Sequence, residues 1–311
     1  MLLSENLLIT GGSGFIGSYI VENLAKTAES NIVVYDVNAS EKKAGRVTSL
    51  KGDIFDSEKL LGIMQKEEVS KVIHMVGLAS IADCREKPDS SFKLNVSSVQ
   101  SVLEAMRIAD VKRLIFPSTA AVYGVAANPQ VNEAVEPKPT SIYGWHKLAA
   151  ESLIRGYAKD YGVDATILRI FNVYGNLLRE QGVISTFVRR ALKSLPLTVN
   201  GGEQLRDFVH LNNVVEAFIK SLDNPAVYNK VVNVGSGVGL SISEVAGMIR
   251  EAFPETEVAY RHLGNGEYSI FADVSRMRKL LGLQMIDPKV GIPAFIKRCK
   301  WNQVRVGRER A

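Results

Sequence analysis

The 311-residue chain has few of the features that mark specialised protein classes. Its only cysteines, Cys84 and Cys299, are too few for a disulfide framework or a cysteine-rich zinc site, and they favour a reducing cytoplasm. No apolar run reaches the roughly 18 residues of a membrane span. The opening stretch "MLLSENLLITGG" lacks the basic region and cleavage site of a signal peptide. We therefore expect a cytoplasmic protein with no structural metal and no membrane partner.

An excess of one charge is also missing, because the formal net charge is only +5. The basic residues are scattered except for one cluster near the C-terminus, "KVGIPAFIKRCKWNQVRVGRER". Such a cluster is typical of a solvated helix and tail, and a nucleic-acid patch is the alternative. We expect no nucleic-acid partner, whereas a small anionic substrate would suit a mildly basic surface.

The first half of the chain alternates short β-branched runs with amphipathic helical patterns. "NLLIT", "NIVVYDV", "VTSLKGD", "KVIHMVG", "RLIFPST" and "ATILRIFNVYG" are the strand-like runs, and segments with a helical period separate most of them. This rhythm predicts βαβ units, and right-handed crossovers then give an α/β, doubly wound parallel sheet of the Rossmann type. We assign residues 1–172 to this domain.

The rhythm changes after residue 172, where turn-forming stretches such as "SLPLTVNGGEQLRD" become frequent. Helical patterns cover roughly 183–194, 212–222 and 241–253. We expect the second helix to be capped near Asn212 or Asn213. We assign 173–311 mainly to a smaller, irregular α/β substrate-binding domain, with a segment near 207–236 returning to the first domain.

The stretch "TGGSGFIG" follows the first predicted strand and opens a helix, with Gly11, Gly14 and Gly17 at a G-x-x-G-x-x-G spacing. Glycines there permit a tight turn and a close approach to a pyrophosphate, which the helix N-terminus attracts. Asp36 ends the second strand, 19 residues after Gly17, where a carboxylate can bind both ribose hydroxyls of an adenosine. A carboxylate repels a 2′-phosphate, so the pattern favours NAD over NADP.

Two later strand ends offer further contacts to a dinucleotide. Asp53 and Ile54 could meet the adenine, although a simple strand-end cap explains Asp53 equally well. Gly77 ends another strand, where the backbone could approach the cofactor closely. His74 lies inside that strand and is interpreted as a buried, hydrogen-bonded histidine rather than a catalytic one.

Tyr143 and Lys147 in "SIYGWHK" are spaced i, i+4 on a predicted helix, so their side chains share one face. A tyrosine is a poor base at its ordinary pKa of about 10, but a neighbouring ammonium lowers that pKa. An incidental aromatic–lysine pair is the alternative. The preceding dinucleotide pattern and the strand end "PST", with Thr119, favour a catalytic pair.

With these motifs the chain resembles the extended short-chain dehydrogenase/reductase family. The stretches "KVIHMVGLASI", "KRLIFPSTAAVYG", "RIFNVYGN" and "RDFVHLNNVVEA" are similar to its NAD-dependent nucleotide-sugar epimerase/dehydratase branch, with UDP-glucose 4-epimerases the nearest pattern. The resemblance runs from about residue 7 to residue 280. It specifies the family more strongly than the substrate.

The resemblance implies a role for each matching residue. Tyr143 is the acid/base and Lys147 holds the nicotinamide ribose. Ser118 and Thr119 are expected to bind the substrate, with Thr119 at the reacting sugar hydroxyl. The diphosphate is bound by Asn172 and by Arg206, whose fork matches phosphate geometry. The cofactor site predicted from the motifs and the resemblance comprises Gly11, Gly14, Phe15, Ile16, Gly17, Asp36, Asp53, Ile54, Gly77, Asn95, Tyr143 and Lys147.

The chain departs from the family pattern in two places. Dehydratases of this branch carry an acidic pair after the catalytic threonine, and here Ala120 and Ala121 stand there. The second phosphate-binding arginine is expected just before a "GE" pair, but Arg261 is displaced from it by a few positions.

Ile270 falls near a position where a bulky tyrosine restricts some 4-epimerases to unsubstituted hexoses, which hints at room for an N-acetylated sugar.

The sequence therefore predicts an NAD-dependent 4-epimerase of a UDP-hexose that works through a 4-keto intermediate. The first alternative is an NAD-dependent oxidoreductase of another nucleotide sugar or a small alcohol, since a threonine dehydrogenase of the family has "PST" in the same place. A non-catalytic NAD-sensing or RNA-binding relative is the second alternative, and it should lack Tyr143 or Lys147.

We also expect a homodimer formed through two helices of the first domain, although a buried helix explains "NVSSVQSVLEAMRIAD" equally well.

Overall fold

An eight-stranded sheet forms the centre of the protein. The computed structural model describes residues 6–27, 30–177, 182–262 and 268–309, with side chains as far as residue 301. The strands of the chain are β1 Asn6–Thr10, β2 Ile32–Asp36, β3 Lys42–Ala44, β4 Val47–Lys51, β5 Val69–His74, β6 Arg113–Thr119, β7 Gln130–Val131, β8 Asp164–Ile170, β9 Asn172–Tyr174, β10 Leu197–Asn200, β11 Leu205–His210, β12 Lys230–Val234, β13 Gly239–Ser241, β14 Val258–Arg261 and β15 Phe271–Ala272. The order in the main sheet is β12-β8-β6-β5-β1-β2-β4-β3.

The main sheet is parallel except for β3, which pairs antiparallel with β4. The strand order reverses between β1 and β5, which is where a doubly wound sheet opens a ligand crevice at its carboxyl edge. The predicted Rossmann-type fold class is thus confirmed.

Helices cover both faces of this sheet. They are α1 Phe15–Thr27, α2 Ser57–Lys66, α3 Ile81–Glu86, α4 Pro88–Phe92, α5 Ser98–Ile108, α6 Ile142–Tyr161, α7 Val183–Leu192, α8 Leu211–Ser221, α9 Ile242–Ala252, α10 Ser275–Leu281 and α11 Pro288–Glu309. A π-helical turn at Lys93–Ser97 precedes α5, and 3₁₀ turns lie at Ala120–Val122 and Pro225–Val227. No helix in the described ranges is long and apolar enough to cross a bilayer.

The hydrophobic core consists of three clusters. On one face of the sheet, buried residues of α1, α8 and α10 pack on the strands, and on the other face those of α2, α5 and α6 do so. A third cluster joins α7, α9 and α11 around β10, β11 and β13, away from the main sheet. The alternating sequence pattern produces the first two layers, because each parallel strand is apolar on both faces.

Most of the segment near 207–236 lies against the main sheet, because α8 packs on one of its faces. Lys230–Val234 becomes its edge strand beside β8, whereas Leu205–His210 pairs with β9 and β13 in a separate three-stranded sheet. The strand predicted within "ATILRIFNVYG" is divided at Phe171, whose N–H donates to the Val234 carbonyl. β9 therefore continues beyond the main sheet and carries its residues toward the second part of the protein.

The helix predicted over 212–222 is present, but its cap was assigned wrongly. His210 is the N-cap, because its Nδ1 accepts the Asn212 N–H at 3.1 Å. Asn213 is buried instead, where it donates to the Gln284 carbonyl and accepts from the Ile286 N–H. An imidazole can accept a hydrogen bond as an asparagine does, and the sequence pattern alone did not distinguish them.

Candidate active site

A crevice of about 640 Å³ opens at the carboxyl edge of the main sheet, at the point where the strand order reverses. Its walls come from the segments that follow β1, β5, β6 and β8, together with the start of α7. Most of the predicted site residues line it, namely Gly11, Gly14, Phe15, Ile16, Gly17, Gly77, Asn95, Ser118, Thr119, Tyr143, Lys147, Asn172 and Arg206.

The glycine-rich turn after β1 has little room for side chains. Gly11 has a φ of +70°, and a Cβ on it would lie 2.6 Å from the Val76 nitrogen of the neighbouring strand end. A Cβ on Gly17 would lie 2.6 Å from the Gly11 carbonyl oxygen, so α1 can approach the turn only without a side chain there. Gly14 meets only that same carbonyl, at 3.2 Å, which leaves its other side open toward the crevice. This cradle fits a dinucleotide pyrophosphate.

Asp36 is held at the edge of the same turn. Its carboxylate accepts the Ser13 N–H at 3.0 Å and the Asn38 N–H at 2.8 Å. The carboxylate predicted to contact the ribose is thus positioned by one backbone donor from the glycine-rich turn, Ser13, and one from the segment after β2, Asn38. A carboxylate oriented in this way suits an adenosine ribose with free hydroxyls.

Four predicted residues do not line the crevice: Asp36, which lies at the edge of the glycine-rich turn, and Asp53, Ile54 and Arg261. Asp53 is exposed, and its Oδ1 accepts the Phe55 N–H at 3.0 Å, which is the strand-end cap that the sequence left open. Ile54 is buried in the core under α2, so its side chain does not face the crevice. Arg261 is exposed at the end of β14, and the "GE" pair after it, Gly266 and Glu267, lies outside the described residues.

Asn95 is buried in the π-helical turn before α5, and its side chain hydrogen-bonds to the loop that follows β5. Its Oδ1 accepts the Leu78 N–H at 3.0 Å, and its Nδ2 donates to the Leu78 carbonyl at 3.0 Å. A Cβ on Gly77 would lie 2.8 Å from the same Oδ1. Asn95 therefore fixes the backbone that borders the crevice, which is a supporting role for a cofactor site.

His74 is a buried, hydrogen-bonded histidine, as the sequence indicated. Its two ring nitrogens pair with the hydroxyls of Thr10 at 2.7 Å and Ser98 at 3.1 Å. Burial, together with the charge of Lys147, lowers the pKa of His74 to about 3. The imidazole is therefore neutral over the physiological pH range.

Lys147 is buried on α6 beside Tyr143, with its Nζ 4.2 Å from the centre of the Phe116 ring. Burial lowers the pKa of Lys147 to about 7, although the nearby Glu151 carboxylate raises it. A lysine with this pKa changes its charge readily when a ligand or a neighbouring group alters its surroundings.

A close backbone contact brings the 3₁₀ turn that directly follows β6 against the start of α6. A Cβ on Gly144 would lie 2.5 Å from the Ala121 carbonyl oxygen, so this approach requires a glycine. Ser141 caps the helix by accepting the Gly144 N–H at 3.1 Å. Thr119 and Tyr143, which lie two and one residues before the two sides of this contact, both line the crevice.

Ser118 and Thr119 have different surroundings although they are adjacent. The Thr119 hydroxyl accepts the Ala121 N–H at 3.2 Å at the crevice wall. The Ser118 residue also lines the crevice, but its hydroxyl is buried and donates to Glu151 at 2.6 Å.

Asn172 and Arg206 line the crevice from the adjacent strands β9 and β11. Asn172 Nδ2 donates to the Asp207 carbonyl at 2.9 Å, and Arg206 lies over the Tyr268 ring at 4.8 Å from its centre. The Asp207 carboxylate accepts the N–H groups of Ser236, Gly237 and Ala272 at distances from 2.6 to 3.1 Å. This buried aspartate therefore anchors the strand that carries Arg206.

The chemistry available in the crevice is limited. Among its lining residues in the described ranges, the ionisable ones are Tyr143, Lys147, Arg206 and Tyr268, and there is neither a carboxylate nor an imidazole. Ala120 and Ala121 lie directly beside Thr119. Such a site can move one proton at one hydroxyl, and Arg206 can hold an anion.

The sequence analysis did not identify three supporting residues, Glu151, Asp207 and Gly144. Glu151 lies four residues after Lys147 on the same helix face, so its spacing offered a signal. No local pattern indicated the buried carboxylate of Asp207 or the backbone contact at Gly144, because both depend on segments distant in sequence.

The chain matches a known family model and several characterised folds. The model of the NAD dependent epimerase/dehydratase family matches residues 7–235. A Methanocaldococcus jannaschii protein provisionally named as a UDP-glucose 4-epimerase is 32% identical over 305 residues, which cover 95% of this chain and 99% of that protein.

Two solved structures are similar over nearly their whole length. Thermotoga maritima UDP-glucose 4-epimerase with UDP-glucose has a TM-score of 0.87 and 27% identity, with 96% of this chain and 99% of that one covered. The Thermus thermophilus UDP-glucose 4-epimerase complex with NAD has a TM-score of 0.83 and 30% identity, with 95% and 99% covered.

Replacing Gly17 by alanine should weaken NAD binding by about tenfold or more, because the new Cβ would push α1 away from the glycine-rich turn. Calorimetric titration of the purified protein with NAD measures this. Gly62→Ala on α2 is the matched control, since a Cβ there meets nothing within 4 Å, and its NAD affinity should not change. Equal NAD affinities for the two variants would contradict the prediction that the glycine-rich turn binds NAD only when α1 can approach it closely.

Replacing Lys147 by methionine should stabilise the ligand-free protein. The folded-state pKa is lowered from 10.5 to about 7, so between these values the unfolded chain binds more protons and stability rises with pH. Denaturant unfolding should therefore show the largest gain from Lys147→Met at about pH 6, and almost none above about pH 10.

The exposed Lys26→Met on α1 is the control for this experiment and should change stability by less than about 0.5 kcal/mol. A Lys147→Met protein that is less stable than the wild type at every pH would show that burial of the ammonium is not costly.

Proposed function

The chain belongs to the NAD-dependent epimerase/dehydratase family, and on that basis we propose that it is a UDP-hexose 4-epimerase. The observation that carries the proposal is the composition of the crevice, which combines one tyrosine–lysine pair with one anion-binding arginine and lacks a described carboxylate. Epimerisation at a single carbon needs one proton-transfer group, whereas dehydration also requires groups that eliminate water. Ala120 and Ala121 cannot supply them.

The cofactor of the family is NAD, and the residues of this chain fit it. Gly11, Gly14 and Gly17 would hold the pyrophosphate, and Asp36 the adenosine ribose. When bound, NAD supplies a reversible hydride acceptor for oxidation of the sugar at C4 to a 4-keto intermediate.

Residues of the chain carry out proton transfer and substrate binding. Tyr143 takes the proton from the C4 hydroxyl and returns it, and the ammonium of Lys147 favours the phenolate that this requires. Thr119 holds the reacting oxygen with its hydroxyl. Asn172 and Arg206 bind the diphosphate from β9 and β11, which leaves the sugar free to present either face.

The assignment of Arg206 to a diphosphate disfavours the alternative function, an oxidoreductase of a small alcohol. A small alcohol has no diphosphate, so it would not use the anion-binding guanidinium of Arg206, which lies over the Tyr268 ring at the crevice. Net oxidation would also release NADH in proportion to product, whereas epimerisation releases none.

The purified protein should interconvert UDP-glucose and UDP-galactose, or their N-acetylated forms, without an added reductant. Product analysis by chromatography measures this, and Tyr143→Phe should lower kcat by about a hundredfold or more because the proton-transfer group is lost. The exposed Tyr260→Phe is the matched control and should keep full activity. Failure to convert any of the four sugars, or stoichiometric NADH release, would contradict the proposal.

We also propose that two copies of the chain associate through α5 and α6. The outer faces of these packed helices carry small residues such as Ser101 and Gly156, and a Cβ on Gly156 would meet nothing within 4 Å. Ile108 is 52% exposed at the end of the same α5 face. Small side chains allow helices of two copies to approach closely, and association would bury Ile108.

Light scattering should therefore give twice the chain mass, and Ser101→Arg should return it to the monomer mass because an arginine would have to be buried. Ser18→Arg on the exposed side of α1 is the control and should leave the dimer intact. A wild-type protein that elutes as a monomer at all concentrations would contradict this interface.

A further inference from the structure

A buried carboxylate lies directly behind the candidate catalytic residues. Glu151 follows Lys147 by one turn of α6, and its side chain is fully buried. It accepts hydrogen bonds from the Ser118 hydroxyl at 2.6 Å and from Arg169 Nε and Nη2 at 2.9 and 2.7 Å. Arg155 Nη2 donates to it at 3.0 Å from the partly exposed side. One side chain therefore links α6 to β6 and β8.

This arrangement is not explained by stability alone. A buried ion pair often contributes no more than well-packed apolar residues would, because both charges lose their hydration. Arg169 is 2% exposed on its side chain, and its Nη1 has no hydrogen-bond partner among the described residues. Its guanidinium lies over the Tyr123 ring instead, 4.7 Å from the centre. Because burying these charges is costly, the network is better explained by the protein segments whose positions it fixes.

The first position is the end of β6. Ser118 immediately precedes Thr119, so the Ser118–Glu151 hydrogen bond fixes the backbone from which the Thr119 hydroxyl reaches the crevice. Since Glu151 is on α6, the same bond sets the distance between Thr119 and Tyr143. A shift of about 1 Å between groups that act on one oxygen can cost a hundredfold in rate.

Besides fixing the end of β6, Glu151 affects the charge of Lys147. The charged or titratable groups that face it are Glu151 and Tyr143 on α6, Cys84 from α3 and the neutral His74 from β5. Burial lowers the pKa of Lys147, whereas Glu151 and then Cys84 raise it. Glu151 thus partly offsets the effect of burial on the pKa of this lysine.

We propose that Glu151, held in place by Arg169, is the positioning residue of this site: it aligns Thr119 with Tyr143 and places a carboxylate one helical turn from the Lys147 ammonium. The inference rests on the proposed function for its effect on rate. Its effect on Lys147 is independent of any activity and can be measured on the ligand-free protein.

The first experiment is a double-mutant cycle on the ligand-free protein at about pH 6, where folded Lys147 is mostly protonated. Lys147→Met should raise the denaturation midpoint more in a Glu151→Gln background than in the wild type, because the ammonium has lost its neighbouring carboxylate. Glu216→Gln on α8, where Glu216 pairs with Lys220, is the control and should show no coupling with Lys147→Met.

The second experiment compares pH profiles of kcat for epimerisation. Glu151→Gln should lower kcat by about tenfold to a hundredfold and move the alkaline limb to lower pH, since Lys147 loses its proton earlier. Glu151→Asp keeps the charge and should restore the position of that limb while kcat stays reduced. Ser118→Ala should lower kcat about tenfold and leave the limb where it is in the wild type.

These outcomes separate the inference from the proposed function. An inactive wild type would overturn the function, and a cycle without coupling would overturn the effect on Lys147. A folded Glu151→Gln protein with wild-type kcat and pH profile would overturn the positioning role. If Glu151→Gln does not fold, Ser118→Ala decides, and an unchanged kcat in that variant overturns the inference.

Discussion

The approach of the Ala121 carbonyl to Gly144 is the contact on which the candidate active site depends. At this point the turn that directly follows a sheet strand and the start of a long helix are closer than any side chain would allow. The helix cap at Ser141 sets where that helix begins, and Tyr143 and Lys147 then fall on its buried face. One backbone contact therefore brings a hydroxyl from the strand and a tyrosine–lysine pair from the helix to the same crevice.

A second close contact does the same for the cofactor side. Gly11 lets the turn after β1 touch the end of β5, and Gly17 lets α1 approach that turn. The two contacts lie along the carboxyl edge of one rigid parallel sheet. Diphosphate binding is assigned to a different part of the chain, β9 and β11, whose small sheet is fixed by the buried Asp207. This separation suits a reaction in which a firmly held diphosphate must be combined with a sugar that can turn.

Much of this could be predicted from the sequence, for reasons that are local. The glycine spacing, the acid after β2 and the i, i+4 pair of Tyr143 and Lys147 are short patterns, each with its own physical requirement. The parallel sheet follows from the alternation of apolar strands and amphipathic helices. Local patterns also explain why the helices near 183, 212 and 241 were located correctly.

The failures have a common cause, which is contact between distant segments. Ile54 was expected beside an adenine but is buried under α2, and the Ser118 hydroxyl is directed to Glu151, 33 residues away. The cap at His210 required knowing that Asn213 is buried against the chain near residue 284. No periodicity in a single sequence records which polar side chain will be buried and against what.

The most direct test of the central claim is the fate of a hydrogen label at the reacting carbon. UDP-galactose carrying deuterium at C4 should give product with the deuterium still at C4, and unlabelled substrate in heavy water should gain none there. This result is expected if oxidation and reduction occur at one carbon while Tyr143 moves only the hydroxyl proton. Migration of the label to another carbon, or its loss to solvent, would contradict the account.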